Sequence, residues 1–264
     1  MQAFARGLNV VGLMNTQFAI HQGKLYTLEV NPRASRTVPF VSKAIGVPLA
    51  KVAALLMVGK TLPEVGFNEE PVPNMFSVKK VVLPFRKLWG SDPVLGPEMK
   101  STGEVMGIAE SFGQAFAKAT MAAGEKVPTE GTVFLSVNDA DKLALPALGG
   151  RLRDLGFHLI ATSGTAQALK DADIPCETIF KVNEGRPNLV DYVKNDDVDL
   201  IVNTPMGRAS RYDERAIRMA ALQYNIPCLT TLAAADAMIT GIAALSETDF
   251  EVCSVQEWHA GASG

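Results

Sequence analysis

Residues 27–37 read TLEVNPRASRT: a strand-like run carries one carboxylate, Glu29, then breaks at Asn31-Pro32 into a turn holding Arg33 and Arg36. A buried strand does not normally tolerate a carboxylate, because desolvating one is costly unless it is paired or metal-bound. Upstream, GLMNTQFAI supplies Gln17. If that stretch pairs antiparallel with KLYTLEV, Gln17 and Glu29 face the same side near one edge. Asn31, two residues beyond Glu29, joins them by strand alternation. One carboxylate and two amide oxygens are hard ligands suited to Mg²⁺ or Mn²⁺. Mg²⁺ takes one or two protein carboxylates and fills its shell with water and substrate phosphates. Arg33 and Arg36 offer planar donor forks for a phosphate or a carboxylate-bearing intermediate. An exposed hairpin end with solvated charges is the plainer account of any one of these residues. The five together favour the cation and phosphate reading.

The elements that must position them are a hairpin and a few helices. GLMNTQFAI and KLYTLEV are two strands joined by HQG, a short glycine-containing link that predicts a hairpin. PFVSKAIGVPLAKVAALLMVG gives helical stretches interrupted at Gly46-Val47-Pro48. MFSVKKVVLPF reads as a later strand, and SFGQAFAKATMAAG as a helix after an irregular Gly/Pro-rich segment. The opening QAFARGLN reads as the tail of a helix. A hairpin and a few helices make a poor independent core, so this part is expected to be a piece of a larger domain.

The chain changes character near AGEKVPTEGT, residues 123–132. From there TVFLSV, FHLIAT, CETIFKV, DLIVNTP and PCLTT read as short apolar strands. LPALGGRLRDL, TAQALKDA, NLVDYVKN and ERAIRMAALQYN read as helices between them. Alternating strands and helices predict a doubly wound parallel sheet covered on both faces. Such sheets bind ligands at the carboxyl ends of their strands. Lys142, Thr162, Lys181, Asn203 and Thr204 all fall at or just past those ends. In LIATSGTAQALKD a strand delivers Thr162, a Ser-Gly-Thr turn follows, and a helix begins near Thr165. Free N–H groups and the positive end of that helix would face an anion, with Thr162, Ser163 and Thr165 adding hydroxyls. A plain Thr N-cap satisfies the same pattern.

Bulk properties narrow the classes. The 264 residues are enough for two ordinary domains, and 47% hydrophobic with 20% charged residues is a folded composition. A net charge of -3 gives no electrostatic case for nucleic acid or an anionic membrane as a partner. No apolar run reaches the ~18 residues a membrane span needs, and the first residues do not read as a signal peptide. Cys176, Cys228 and Cys253 are far apart and set in apolar contexts, so reduced core residues of a cytoplasmic protein are expected. The three histidines are scattered and give little support to a His-based site.

GLMNTQFAI, LEVNPRASRTVPFVSKAIGVPLAKVA, PEMKSTGEVMG and NEGRPNLVDYVKN, in that order, resemble the C-terminal part of the carbamoyl phosphate synthetase large subunit. The resemblance runs essentially from end to end. It implies an α/β chain: residues 1–122 as the end of an ATP-grasp (α+β) domain with its connecting region, and 123–264 as a methylglyoxal-synthase-like regulatory domain. It further implies that Gln17, Glu29 and Asn31 ligate Mg²⁺ or Mn²⁺ at the second ATP site. Arg33 and Arg36 would stand by the phosphates and the carbamate being phosphorylated. Phosphoryl transfer is mostly positioning and charge neutralisation by metal and arginine, which suits that set. The adenine-binding residues and glycine-rich lid of the family lie upstream of these motifs, so this chain alone is expected to be inactive. The implied partners are the remainder of the large subunit and a glutaminase small subunit, with room for a homo-oligomer. The implied pathways are arginine and pyrimidine biosynthesis.

For the second domain the resemblance implies a nucleotide monophosphate pocket for uridine or inosine monophosphate, formed in part by Lys142, Thr162, Thr165, Lys181 and Asn203. One departure is Pro205, where the best-known members carry threonine; proline removes a hydroxyl and a backbone donor. A second is Lys80, which replaces a glutamate of the ornithine-activation site and reverses its charge, and a third is Cys228 in place of a tyrosine, although Thr230 remains. Ornithine is therefore expected not to activate. The segment 81–107 is expected to link regulatory domain and ATP site. The alternatives are a standalone nucleotide-binding module and a methylglyoxal-synthase-type lyase, for which Asp139 and Asp141 near Lys142 would be the carboxylates to consider.

Overall fold

Gln22 and Gly23 both take positive φ, 49° and 73°, the signature of a two-residue type I′ turn that matches strand twist. The turn joins β1 (Asn15–His21) to β2 (Lys24–Asn31) in an antiparallel hairpin. The register sets Asn15 opposite Asn31 and Gln17 opposite Glu29, and a bulge follows between Gln17 and Phe18. This is the pairing the sequence predicts. The computed structural model describes residues 1–87, 93, 95, 98–205, 211–247 and 252–261. It divides the chain into one unit of Met1–Met75 with Glu251–Gly264 and another of Phe76–Phe250.

In the first unit a short helix α1 (Gln2–Gly7) precedes the hairpin, and α2 (Val38–Ile45) and α3 (Leu49–Met57) follow it. The break between the latter two lies where expected: Gly46 takes a left-handed φ of 71°, and Pro48 is the N-cap residue of α3. This unit has little core of its own. Ala53 is the one fully buried hydrophobic side chain among its described residues, while Ile20 and Leu25 on the hairpin are 78% and 64% exposed. A two-stranded sheet with uncovered apolar side chains is marginal in water without more structure against it. Among the described residues no single helix is long and apolar enough to cross a membrane.

The second unit begins with β3 (Phe76–Val82) and β4 (Gly103–Ala109), an antiparallel pair with Ser77 opposite Ile108. β4 falls where the sequence reads as irregular, because two glycines interrupt its pattern. α4 (Phe112–Ala122) explains one of them. A Cβ at Gly107 would stand 2.0 Å from the Ala115 carbonyl oxygen and 2.7 Å from the Ala119 nitrogen. The helix crosses the strand too closely for a side chain. Gly107→Ala is therefore expected to destabilise this unit by about 3 kcal/mol, the upper end for overpacking, since backbone must move. A melting temperature within 1–2 °C of the parent, roughly 0.5 kcal/mol, would show that the crossing relaxes freely.

Five parallel strands follow: β5 (Thr132–Ser136), β6 (His158–Thr162), β7 (Glu177–Ile179), β8 (Leu200–Asn203) and β9 (Cys228–Leu229), in the order β7-β6-β5-β8-β9. The helices between and after them are α5 (Leu145–Asp154), α6 (Ser163–Lys170), α7 (Leu189–Lys194), α8 (Arg211–Tyr224) and α9 (Leu232–Glu247); α10 (Val255–Gly261) belongs to the first unit. Strand alternation divides the core. Val133, Leu135, Leu159, Leu200 and Val202 pack with α5, α6 and α9, and Phe134, Ile160 and Ile201 pack with α7 and α8. Each large side chain so buried contributes about 1.5–3 kcal/mol. The strand order reverses beside β5, and sheets of this kind place their ligand crevice at such a reversal, here past the carboxyl ends of β5 and β8.

The spatial division at 75/76 differs from the sequence division at 122/123. The reason is α4, whose buried Ala115, Ala117 and Ala119 lie among the second unit's elements. Its Gly113 meets α9 so closely that a Cβ there would stand 2.5 Å from the Thr240 carbonyl oxygen. The segment 81–107 begins in β3 and ends in β4, strands that pair with each other; its residues 88–92, 94, 96 and 97 lie outside the described residues.

Candidate functional site

The hairpin register places three amides and one carboxylate on one face, and the chain past β2 folds back over the same face. Asn15, Gln17, Glu29, Asn31, Arg33 and Arg36 line one cavity of about 680 Å³. All five residues singled out in the first part of the sequence are therefore brought together. The sequence reading missed Asn15, although the signal was available: it stands two residues before Gln17 on the same strand face.

Local hydrogen bonds organise this cavity. Asn31 Nδ2 donates to Glu29 Oε1 at 2.8 Å. Arg33 Nη2 donates to Asn31 Oδ1 at 3.5 Å, and Nη1 to the Ala34 carbonyl at 3.0 Å. The guanidinium is thus tethered to the turn that carries it. The donor set suits a hard divalent cation: one carboxylate, several amide oxygens, and space for water and phosphate oxygens. In the arrangement seen, Asn31 turns its nitrogen toward Glu29, so a half-turn of its amide would present the oxygen. Among the described residues no group of three or more His, Cys, Asp or Glu side chains could hold a metal ion. The one-carboxylate cavity is a place where oxygen donors converge.

At the crevice of the parallel sheet, hydroxyls and amides interlock. Thr165 Oγ1 accepts the Val137 N–H at 3.1 Å, and Thr162 Oγ1 donates to Ser136 Oγ at 3.3 Å. Thr162 and Thr165 are buried, as are Asn203 and Thr204. Thr162 is the N-cap residue of α6 by position but gives it no side-chain cap, so the plain N-cap account does not describe it. Lys142 stands over this helix start: its Nζ is 3.2 Å from where a Cβ on Gly164 would lie. Lys181 follows β7 by two residues, and Ile179 of that strand pairs with Thr162. Asn203 pairs with Ser136 across β8 and β5.

Asn138 was not anticipated, and it fastens the loop that carries Lys142. Its Nδ2 donates to Asp141 Oδ2 at 2.7 Å and to Thr204 Oγ1 at 3.1 Å, and its backbone N–H to Thr204 Oγ1 at 2.9 Å. Asp139 pairs with Lys142 at 2.6 Å. Hydrogen bonding and charge from Lys142 hold the Asp139 carboxyl below its usual range. Both aspartates considered for lyase chemistry are thus engaged within their own loop. Elsewhere Lys80 is committed: its Nζ donates to Glu125 Oε2 at 2.7 Å and to Thr120 Oγ1 at 3.3 Å, and lies 5.6 Å from the Phe116 ring centre. Burial pushes the Cys176 thiol up to about 11 and Cys228 up to about 12, which suits unreactive thiols; with Cys253 they are half-buried, short of the core position expected.

Residues 2–65 match the family model of the carbamoyl-phosphate synthase L chain ATP binding domain, and residues 145–230 that of the MGS-like domain. The chain is 54% identical over 260 residues to the carbamoyl phosphate synthase large chain of Rhodopirellula baltica, covering 97% of this chain and 24% of that protein. Against the large chain of Pseudomonas putida it is 53% identical over 264 residues, covering 99% and 24%. The chain thus spans about a quarter of the length of the relatives it matches. Of solved structures, a methylglyoxal synthase from Elizabethkingia anophelis NUHP1 aligns with 50% of this chain and 92% of its own at 16% identity, with a TM-score of 0.37.

Proposed function

We propose a role that proceeds from membership: the chain is a segment of the carbamoyl phosphate synthase large chain, holding part of an ATP-binding domain and an MGS-like domain. In this reading the first unit supplies cation and phosphate ligands for ATP-dependent phosphorylation of carbamate, and the domain from residue 123 onward binds a regulatory nucleotide. One observation supports the first half above the others, the convergence of Gln17, Glu29, Asn31, Arg33 and Arg36 on a single cavity. Glu29 with Gln17 and Asn31 would hold Mg²⁺ or Mn²⁺, which neutralises phosphate charge when bound. Arg33 and Arg36 would orient the phosphates and the carbamate through their donor forks. The thinly covered hairpin supports the remainder of the large chain as the partner that completes this domain. A glutaminase subunit, a cytoplasmic setting and service to arginine and pyrimidine synthesis belong to the same proposal.

For the regulatory half, Lys142 over the uncapped start of α6 supports an anionic effector, with Lys181, Thr162, Thr165 and Asn203 as further pocket residues. Uridine or inosine monophosphate is the proposed ligand, and Pro205 would weaken its grip relative to a threonine there. Lys80 supports the absence of an ornithine response, since a cationic amine would meet an ammonium where it needs a carboxylate, and Glu125 is already committed to that ammonium. Calorimetric titration of this chain with the two nucleotides tests the reading. Micromolar binding of one is expected, with no heat from ornithine. Heat with ornithine but none with either nucleotide would reverse the effector assignment.

A further inference from the structure

We propose that each pocket lysine is held by a carboxylate of its own loop, Asp139 for Lys142 and Glu184 for Lys181, and that these carboxylates compete with the phosphate of an incoming nucleotide. The inference rests on the nucleotide reading above and concerns how that pocket sets its affinity. The two pairs are built alike, with carboxylate and lysine three residues apart. Asp139 Oδ1 lies 2.6 Å from Lys142 Nζ, and Glu184 Oε1 lies 3.4 Å from Lys181 Nζ. Glu184 also accepts the Lys181 backbone N–H through Oε2 at 3.2 Å. Both lysines belong to the carboxyl end of the sheet, and Lys142 faces the first turn of α6.

The exposures are unequal in the first pair alone, since in the second the Lys181 and Glu184 side chains are 37% and 42% exposed. The Asp139 side chain is 84% exposed whereas that of Lys142 is 32% exposed. The carboxylate can swing into water at little cost while the ammonium stays over the helix start. Asp139 is a carboxylate at neutral pH in any case, and Lys142 lowers its proton affinity further, so the competitor is present whenever a nucleotide is. The loop does not depend on Asp139 for its shape, because Asn138 ties it to Asp141 and Thr204. Removing the competing charge therefore leaves the lysine in place and its partner position vacant for phosphate.

The test compares Asp139→Asn, Glu184→Gln and the double variant with the parent chain, titrated with uridine monophosphate, inosine monophosphate and inorganic phosphate. Exposed ion pairs are weak, so tightening of about two- to fivefold per substitution is expected, and about tenfold for the pair. Asp154→Asn removes the same charge at the C-terminal end of α5, and no change is expected for it. Unchanged or weaker binding in the Asp139 and Glu184 variants, or equal tightening in the Asp154 variant, overturns the competition. If the parent meanwhile binds and Lys142→Met abolishes that binding, the nucleotide reading stands alone. No binding by any form overturns both.

Discussion

On the proposed reading, Glu29→Gln in the complete large chain is expected to slow ATP-dependent phosphorylation by about 10²- to 10³-fold, the usual cost of losing one group that stabilises developing charge. Glu29 is the one carboxylate among the side chains lining its cavity, which otherwise offers amides, hydroxyls and two guanidinium groups. Glutamine keeps the size, and its amide oxygen can still accept from Asn31 Nδ2, the bond that Glu29 Oε1 now makes. What disappears is the negative charge a divalent cation needs, and neutral amides cannot replace it. The residue is exposed on the hairpin, so stability should shift by no more than about 0.5 kcal/mol. Steady-state rates across a Mn²⁺ series would separate the two effects. A near-parental rate with unchanged metal dependence would mean that Glu29 holds no cation and that the cavity is a solvated hairpin end.

That cavity was legible because both of its determinants are local. Strand alternation puts Glu29 and Asn31 on one face, and the short link at Gln22-Gly23 fixes the register that sets Gln17 opposite Glu29. The parallel sheet was legible for a related reason: its strands are apolar runs punctuated by helices, and both faces of β5, β6 and β8 are covered. β4 escaped notice because the property that shapes it is not local. Gly107 reads as an interruption in the sequence, yet it is the place where α4 needs a strand without a side chain. Asn138 was invisible for a similar reason, since its value lies in Thr204, 66 residues away. The hydroxyls of Thr162 and Thr165 were expected as anion donors, but the structure also gives them work inside the sheet, with Ser136 and the Val137 N–H. Sequence patterns disclose which residues share a face; they do not disclose which of them are already bonded.

This last point decides how the proposed effector pocket should be probed, and it leads to the second large effect. Thr165 is almost wholly buried and accepts a backbone N–H, so Thr165→Val would disturb the β5–α6 junction and nucleotide binding together. Lys142 and Lys181 lack that entanglement, because their pairs are partly exposed and lie within single loops. Lys142→Met and Lys181→Met are each expected to weaken uridine or inosine monophosphate binding by about 10- to 100-fold, given about 1.5–3 kcal/mol for a charge-assisted hydrogen bond. Together they should remove about 10³-fold if the two act independently on one phosphate-bearing ligand. The melting temperature of the free chain should barely move, since exposed ion pairs contribute little. Calorimetry on the double variant measures the first quantity and thermal unfolding the second. If the double variant keeps parental affinity, the nucleotide sits elsewhere on the chain, and the crevice past β5 and β8 is a structural network of hydroxyls rather than a pocket. If affinity and melting temperature fall together, the lysines hold the loops, and their link to the ligand is indirect.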